Sequence, residues 1–199
     1  MFVGSRSSLK QIKANAVAAS IADAALALFD EKGFDVVTVD EIAAAAGISR
    51  RSFFRYFPTK EDVVVAGHAK FGTKIADAVR ARPEGEDVWS SLRRGYDVLA
   101  DNTDRDPEAA ARTMRVVNGT ASLRAHTLEK HIGWAVDLAP EIARRLGGAD
   151  IHRLEADALV HASFACLDIA LFHFTLNPSS SLHDKLDATF DALRSKGVR

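Results

Sequence analysis

Residues 38–60 read TVDEIAAAAGISRRSFFRYFPTK, a stretch in which helix starts and helix stops alternate within a few residues of one another. Thr38 can cap a helix while Glu41, three residues on, returns a bond to the Thr38 amide. Val37 and Ile42 can close a hydrophobic staple across the same turn. The helix started there runs to about Ala46, where Gly47 and Ile48 turn the chain. Ser49 offers a second N-cap. The helix that follows ends near Phe57, because Pro58 disfavours helical backbone at the residue before it. Thr59 and Asp62 make a further capping pair. Helix, tight turn and helix is the pattern of a helix-turn-helix, whose second helix enters the major groove of duplex DNA.

Upstream, Ile12, Val17, Ile21, Ala25, Leu28 and Phe29 recur at helical spacing, and Gly33 is placed to end that helix in the left-handed conformation. Short helices rarely stand alone. Three of them crossing around Ile42, Ala46, Ile48, Phe53 and Phe57 make a trihelical unit, with alanines allowing close approach.

No acidic residue occurs between Glu41 and Glu61, whereas Arg50, Arg51, Arg55 and Lys60 all fall in that interval. Arg50 and Arg51 occupy the first turn of the second helix, where a guanidinium can pair with guanine O6 and N7. Arg55 joins the same face, at a base or a phosphate. Ser52 and Tyr56 carry hydroxyls at i,i+4 spacing for phosphate oxygens, and Lys60 and the amides after Thr38 and Thr59 can hold the backbone. Phe53 and Phe57 suit the core, and Phe54 is either partly exposed against sugar or a thymine methyl or simply packed in the core as well.

The bulk composition is that of a folded, helix-rich chain: 199 residues, 47% apolar and 27% charged, with abundant alanine. Net charge is −1, so any nucleic-acid partner must be met by a local patch rather than a global field. A single cysteine, Cys166, excludes a disulfide framework within the chain. The first residues lack the apolar core of a signal peptide, and the apolar run Phe164 to Leu176 is shorter than a membrane span and carries Asp168 and His173. A cytoplasmic protein with no membrane partner is expected.

The whole reads as all-α, with a DNA-binding unit over residues 1–59 and a larger helical domain over 60–199. Longer amphipathic helices are expected near Lys60–Ala81, Val88–Asn102, Pro107–Gly119, Ala121–Leu146, Ile151–Leu176 and Ser181–Lys196, with Pro140 kinking or dividing the fourth. An effector cavity among the middle helices would be lined by Trp89, Leu92, Tyr96, Leu99, Met114, Val117, Leu123, Leu128, Trp134, Leu138 and Phe164. Arg112, Arg115 or Arg124 is available to an anionic head group. Ordinary core packing is the alternative for each apolar residue.

Leu154 to Leu176 is apolar around too much of its circumference for an exposed helix. Its Leu159, Phe164, Leu167, Leu171 and Phe174, with Leu182, Leu186, Phe190 and Leu193, predict a four-helix interface between two copies.

The segment from Ala24 to Val64, AALALFDEKGFDVVTVDEIAAAAGISRRSFFRYFPTKEDVV, resembles the N-terminal module of the TetR family of bacterial regulators. That resemblance implies a homodimer on a palindromic operator, usually a repressor, released by a small molecule and needing no cofactor. It places Thr38 at the DNA backbone, Arg50, Arg51 and Arg55 near base edges, and Ser52, Tyr56 and Lys60 mainly at phosphates. Phe54 stands where many members have tyrosine. The remainder resembles a subgroup responsive to fatty-acyl or acyl-coenzyme A ligands.

Enzymatic readings find no support in motif: the seven histidines form no H-E-x-x-H pattern, and neither a phosphate-binding nor a dinucleotide-binding glycine loop is present. The competing reading is a helical protein-interaction or adaptor module without sequence-specific DNA binding.

Overall fold

The computed structural model describes residues 4–65, 71–148 and 151–195. Among these residues the chain is all-α: α1 (Gly4–Lys32), α2 (Val39–Ala45), α3 (Arg50–Tyr56), α4 (Lys60–Val65), α5 (Phe71–Arg80), α6 (Val88–Gly95), α7 (Asp97–Arg105), α8 (Pro107–Gly119), α9 (Ala121–Arg145), α10 (Ile151–Leu176) and α11 (Leu182–Arg194).

Two apolar cores organise these helices. The smaller gathers Ile21, Ala25, Phe29, Phe34, Val37, Ile42, Ala43, Phe53, Phe57, Val63 and Val64, and continues into Val116 and Val117 of α8 and Leu123 of α9. Ala46 and Ile48 pack against it partly buried. The upper part of α1 departs from the expected stripe, since Ile12 and Val17 are exposed. The buried side of α1 begins at Ile21, with Ala18 packed partly buried beside it. The expected boundary after residue 59 falls at the start of α4, whose Val63 and Val64 belong to this smaller core.

The larger core holds α5 to α7 and α9 to α11 together, with Trp89, Leu92, Tyr96, Leu138, Leu167, Phe174 and Leu186 fully buried. Buried polar groups lock its register. The Trp89 indole donates to the Phe190 carbonyl at 3.1 Å, and the Tyr96 hydroxyl and Ser163 Oγ lie 2.8 Å apart. Arg93, also buried, ties α6 to α11 through Asp187 at 2.6 Å and the His183 carbonyl at 3.1 Å. Arg145 donates to the carbonyls of Val79, Arg82 and Pro83 while Glu141 balances its charge at 3.1 Å, so one guanidinium satisfies the backbone of the α5–α6 loop.

Two boundaries differ from the sequence reading, and a choice left open at Pro140 is decided. The stretch expected as one helix over 60–81 contains α4 and α5, with its centre outside the described residues. The helix expected over Val88–Asn102 is two, α6 and α7, joined at Tyr96. A Cβ on Gly95 would come within 2.5 Å of Val79 Cγ2, so this junction sits closer to α5 than any other residue at position 95 allows. Pro140 neither divides nor ends α9. The carbonyl it deprives of a donor is that of Val136, and residue 136 is 71% exposed, so water can take the place of the missing bond.

By length and composition alone, the stretches 12–32 and 152–176 would pass as membrane spans, so the apolar run in α10 is longer than the expectation allowed. In the second stretch the apolar residues divide between the protomer core and one outward stripe.

Candidate DNA interface and effector domain

The local chemistry of residues 38–60 fixes the geometry of the candidate DNA-reading surface. The Thr38 amide donates to Glu41 Oε2 at 2.9 Å and the Glu41 amide donates to Thr38 Oγ1 at 3.3 Å, which closes the capping box. Lys32 reaches the other Glu41 oxygen at 3.1 Å. The Thr38 amide, then the Lys32 ammonium, hold the Glu41 carboxyl down at about 2. Gly47 makes the turn with φ of 66°, a left-handed value that a side chain would strain. The Ser49 hydroxyl then accepts from the Ser52 amide at 3.1 Å and starts α3.

Phe53 and Phe57 anchor α3 to the core, and this turns Arg50, Arg51, Phe54 and Arg55 outward. Phe54 is 44% exposed and lies edge-on to Phe53 with ring centroids 5.5 Å apart. The three arginines differ. Arg50 bonds to Asp40 of α2 at 2.8 Å and lies over the Phe54 ring. Arg55 stacks on the neighbouring Tyr56 ring, 5.0 Å from its centroid, and donates to its hydroxyl at 3.4 Å. Arg51 is exposed and has no ion-pair partner among the described residues. The pair between Arg50 and Asp40 is open to solvent on both sides, so exchanging that partner for a nucleic-acid acceptor costs little.

The phosphate candidates also separate. Ser52 Oγ accepts from Ser49 Oγ at 3.0 Å and keeps its own proton for another acceptor. Thr38 is exposed beside the start of α2, with its hydroxyl directed to Glu41 Oε2 at 3.0 Å. Lys60 turns inward: its ammonium donates to the carbonyls of Phe34 at 2.8 Å and Val37 at 3.2 Å and sits 4.4 Å from the Phe34 ring centroid. The loop between α1 and α2 is therefore held by a lysine from α4. Nothing in local spacing announces this bond, which joins residues 26 apart.

The structure splits the expected cavity residues among several environments. Trp89, Leu92, Tyr96, Leu99, Trp134, Leu138 and Phe164 share the larger core. Val117 and Leu123, with Met114 against them, belong to the smaller one, and Leu128 is 64% exposed. The three arginines offered to an anionic head group have other partners. Arg115 grips Asp30 of α1 with two bonds at 3.1 and 3.3 Å and meets Glu108 at 3.2 Å. Arg112 lies 3.9 Å from the same Asp30, and Arg124 caps the Asn118 carbonyl. Arg112 and Arg115 thus stand at the joint between the two cores, where Val116 and Val117 of the same helix enter the smaller one.

Leu159, Phe164, Leu167, Phe174, Leu182, Leu186 and Phe190 face the core of their own protomer, with Leu171 and Leu193 partly buried beside them. Apolar residues on both sides of α10 made the inward side indistinguishable from the outward one in the sequence. The outward side carries Leu154, Ala158, His161, Ala165, Ile169, Phe172 and Leu176, at spacings of three and four. Exposed Ala188 and Ala192 lie on α11. No group of three or more metal-ligating side chains occurs among the described residues.

Comparison with known proteins places these features in a lineage. The family model described as bacterial regulatory proteins, TetR family, matches residues 21–66, and that of the MftR C-terminal domain matches residues 86–197. MftR of Mycobacterium tuberculosis, provisionally named a mycofactocin biosynthesis transcriptional regulator, is 33% identical over 184 residues, covering 87% of each chain. Among solved structures, Thermus thermophilus FadR with lauroyl-CoA superposes with a TM-score of 0.58 at 22% identity, covering 92% of this chain and 95% of that one. Bacillus subtilis FadR with stearoyl-CoA gives 0.62 at 20% identity, covering 90% and 98%. These structures share the fold. The relation to regulators over nearly the whole length decides against the adaptor reading and against an enzyme. The chain belongs to the TetR family and is a ligand-responsive, DNA-binding transcriptional regulator.

Proposed function

We propose that the chain acts in the cytoplasm as a homodimeric repressor of a palindromic operator, with Arg50, Arg51 and Arg55 reading bases. Thr38, Ser52 and Tyr56 contact phosphates, and Lys60 serves them chiefly by holding the loop that leads into Thr38. The observation that carries this reading is the outward face of α3: arginines on a helix whose start is capped by Ser49 and whose opposite face is pinned by Phe53. Side chains used for base readout need a rigid element to project from, and the buried Phe53 holds α3 as that element.

Two copies joined through the outward stripe of α10 and the small residues of α11 would present their α3 helices symmetrically to half-sites one helical turn apart, or a multiple of that. Relation to MftR makes genes of mycofactocin biosynthesis the first place to seek the operator. An amphipathic effector of fatty-acyl or acyl-coenzyme A type is proposed to release it. The acyl-coenzyme A complexes of the FadR proteins support that class. The Asp30–Arg115 pair gives a route for coupling, because any change in how α8 sits on α1 must break or carry that pair.

Selection of bound duplexes from a random library tests this function. The wild-type dimer should enrich an inverted repeat whose binding falls steeply with salt, and Arg51→Ala should lose about 1–3 kcal/mol of base discrimination. Recovery of no inverted repeat by an intact dimer would defeat the operator reading.

A further inference from the structure

The two tryptophans of the larger core are not in the same condition. Trp89 gives its indole proton to a backbone carbonyl. Trp134 is equally buried, at 4% exposure, and its Nε1 is a buried polar side-chain atom with no hydrogen-bond partner. A buried donor left unmet forfeits the hydration it had in the unfolded chain and gains no bond in return. One turn before it on α9 stands Lys130, whose ammonium lies 4.8 Å from the centre of the Trp134 ring and has no hydrogen bond or ion pair among the described residues. Burial pushes the Lys130 pKa down to about 8, with the Asp168 carboxylate of α10 only partly offsetting it. Here are a cation short of counter-charge and an N–H short of an acceptor, side by side.

Both residues line one cleft of about 440 Å³ between α5 and α9, together with Gly72 and Thr73 of α5. Its rim carries the acids Glu129 and Asp137, the first of them 3.8 Å from His126. The floor is made by a glycine for a physical reason: a Cβ at position 72 would approach Trp134 Nε1 to 2.7 Å. The indole edge is thus sealed by the backbone of α5, and an acceptor reaches it only when α5 and α9 separate at this point.

We propose that this cleft receives an oxyanion of the effector, held by the Lys130 ammonium and the Trp134 indole N–H. The proposal rests on the ligand-responsive reading above and replaces Arg112, Arg115 and Arg124 as its anionic subsite. It also says what the ligand does on arrival. Making the missing bond to Trp134 displaces α5 from α9, and α5 follows in the chain from α4, whose Val63 and Val64 are part of the core beneath the DNA-reading helices. The rim acids repel negative charge next to them, so the oxyanion belongs on the Lys130 side of the cleft.

Calorimetric titration of the full-length protein with dodecanoate, dodecanol and coenzyme A separates the outcomes. Expected is binding of dodecanoate that weakens about 10- to 100-fold in Lys130→Gln, as loss of a charge-assisted bond predicts, and is largely kept in Lys130→Arg. Trp134→Phe, which keeps an aromatic ring but removes the N–H, should weaken it about five- to tenfold. Dodecanol should bind with an affinity indifferent to Lys130→Gln. Lys130-dependent binding of coenzyme A in place of dodecanoate would support the same site with a phosphate as its anion. Undiminished dodecanoate binding and operator release in Lys130→Gln would overturn the site while leaving the acyl-responsive reading intact. Failure of wild type to bind either anion would overturn both.

Discussion

The DNA-reading unit and the larger domain are built by different kinds of information. In the first, consecutive residues do the work: Thr38 with Glu41, Ser49 with Ser52, and Thr59 with Asp62 each close a bond across three residues. In the second, the decisive contacts join distant segments, as when Trp89 meets Phe190 and Arg93 meets Asp187. A surface that must aim a few side chains is set by short-range caps. A domain that must respond to a ligand is set by long-range packing whose joints can shift.

The largest test of that contrast deletes the more deeply buried of the two rings that anchor α3. Phe53→Ala removes a fully buried ring and should cost about 3–5 kcal/mol in denaturant unfolding. DNA binding should be lost while the dimer, proposed to join through α10 and α11, survives in sedimentation. A variant that still bound DNA normally would mean that α3 is positioned by something other than its core.

Glycine substitutions sharpen the comparison next, because they act by different means in the two regions. Gly72→Ala forces a methyl against Trp134 and should cost about 1–3 kcal/mol as overpacking. Gly47→Ala meets no atom within 4 Å, so its cost, about 1 kcal/mol, comes from backbone strain alone at a φ of 66°. Thermal unfolding should rank them in that order. The tryptophan emission should change only for Gly72→Ala.

Smaller again is the cap itself. Thr38→Ala should destabilise by about 1 kcal/mol through loss of the N-cap. The Glu41 carboxyl, held at about 2, should stay ionised through the range where ordinary carboxylates titrate. Its folded value lies below its unfolded one, so the stabilisation is present above the ordinary carboxylate range near 4.5 and is lost as pH falls toward 2. Carbon-detected titration of that carboxyl in wild type and Thr38→Ala checks both statements, and an ordinary value in wild type would remove the capping box from the account.

What was legible in the sequence follows the same division. The all-α class, the caps and turns from Thr38 to Thr59 and the ends of α8 and α10 could be read because each depends on neighbours in the chain. Lys60 could not, since its acceptors are the carbonyls of Phe34 and Val37. Nor could the partners of Arg112 and Arg115, which lie on Asp30 at the far end of α1. The sequence marked α10 as buried on several sides but could not say which side faces its own protomer, because Phe174 and Phe172 are equally apolar and only packing distinguishes them. Trp134 and Lys130 needed the three-dimensional environment most of all. A tryptophan in an apolar helix looks satisfied until its indole proton is followed to where an acceptor should be.

The most direct measurement of the central claim is the salt dependence of binding to the selected inverted repeat and to random duplex, for wild type and Arg51→Ala. The account predicts that wild type prefers the repeat and that Arg51→Ala prefers it by about 1–3 kcal/mol less, with the dimer unchanged. Equal preference for the repeat in the two proteins would contradict the assignment of the exposed face of α3 as the reader of DNA.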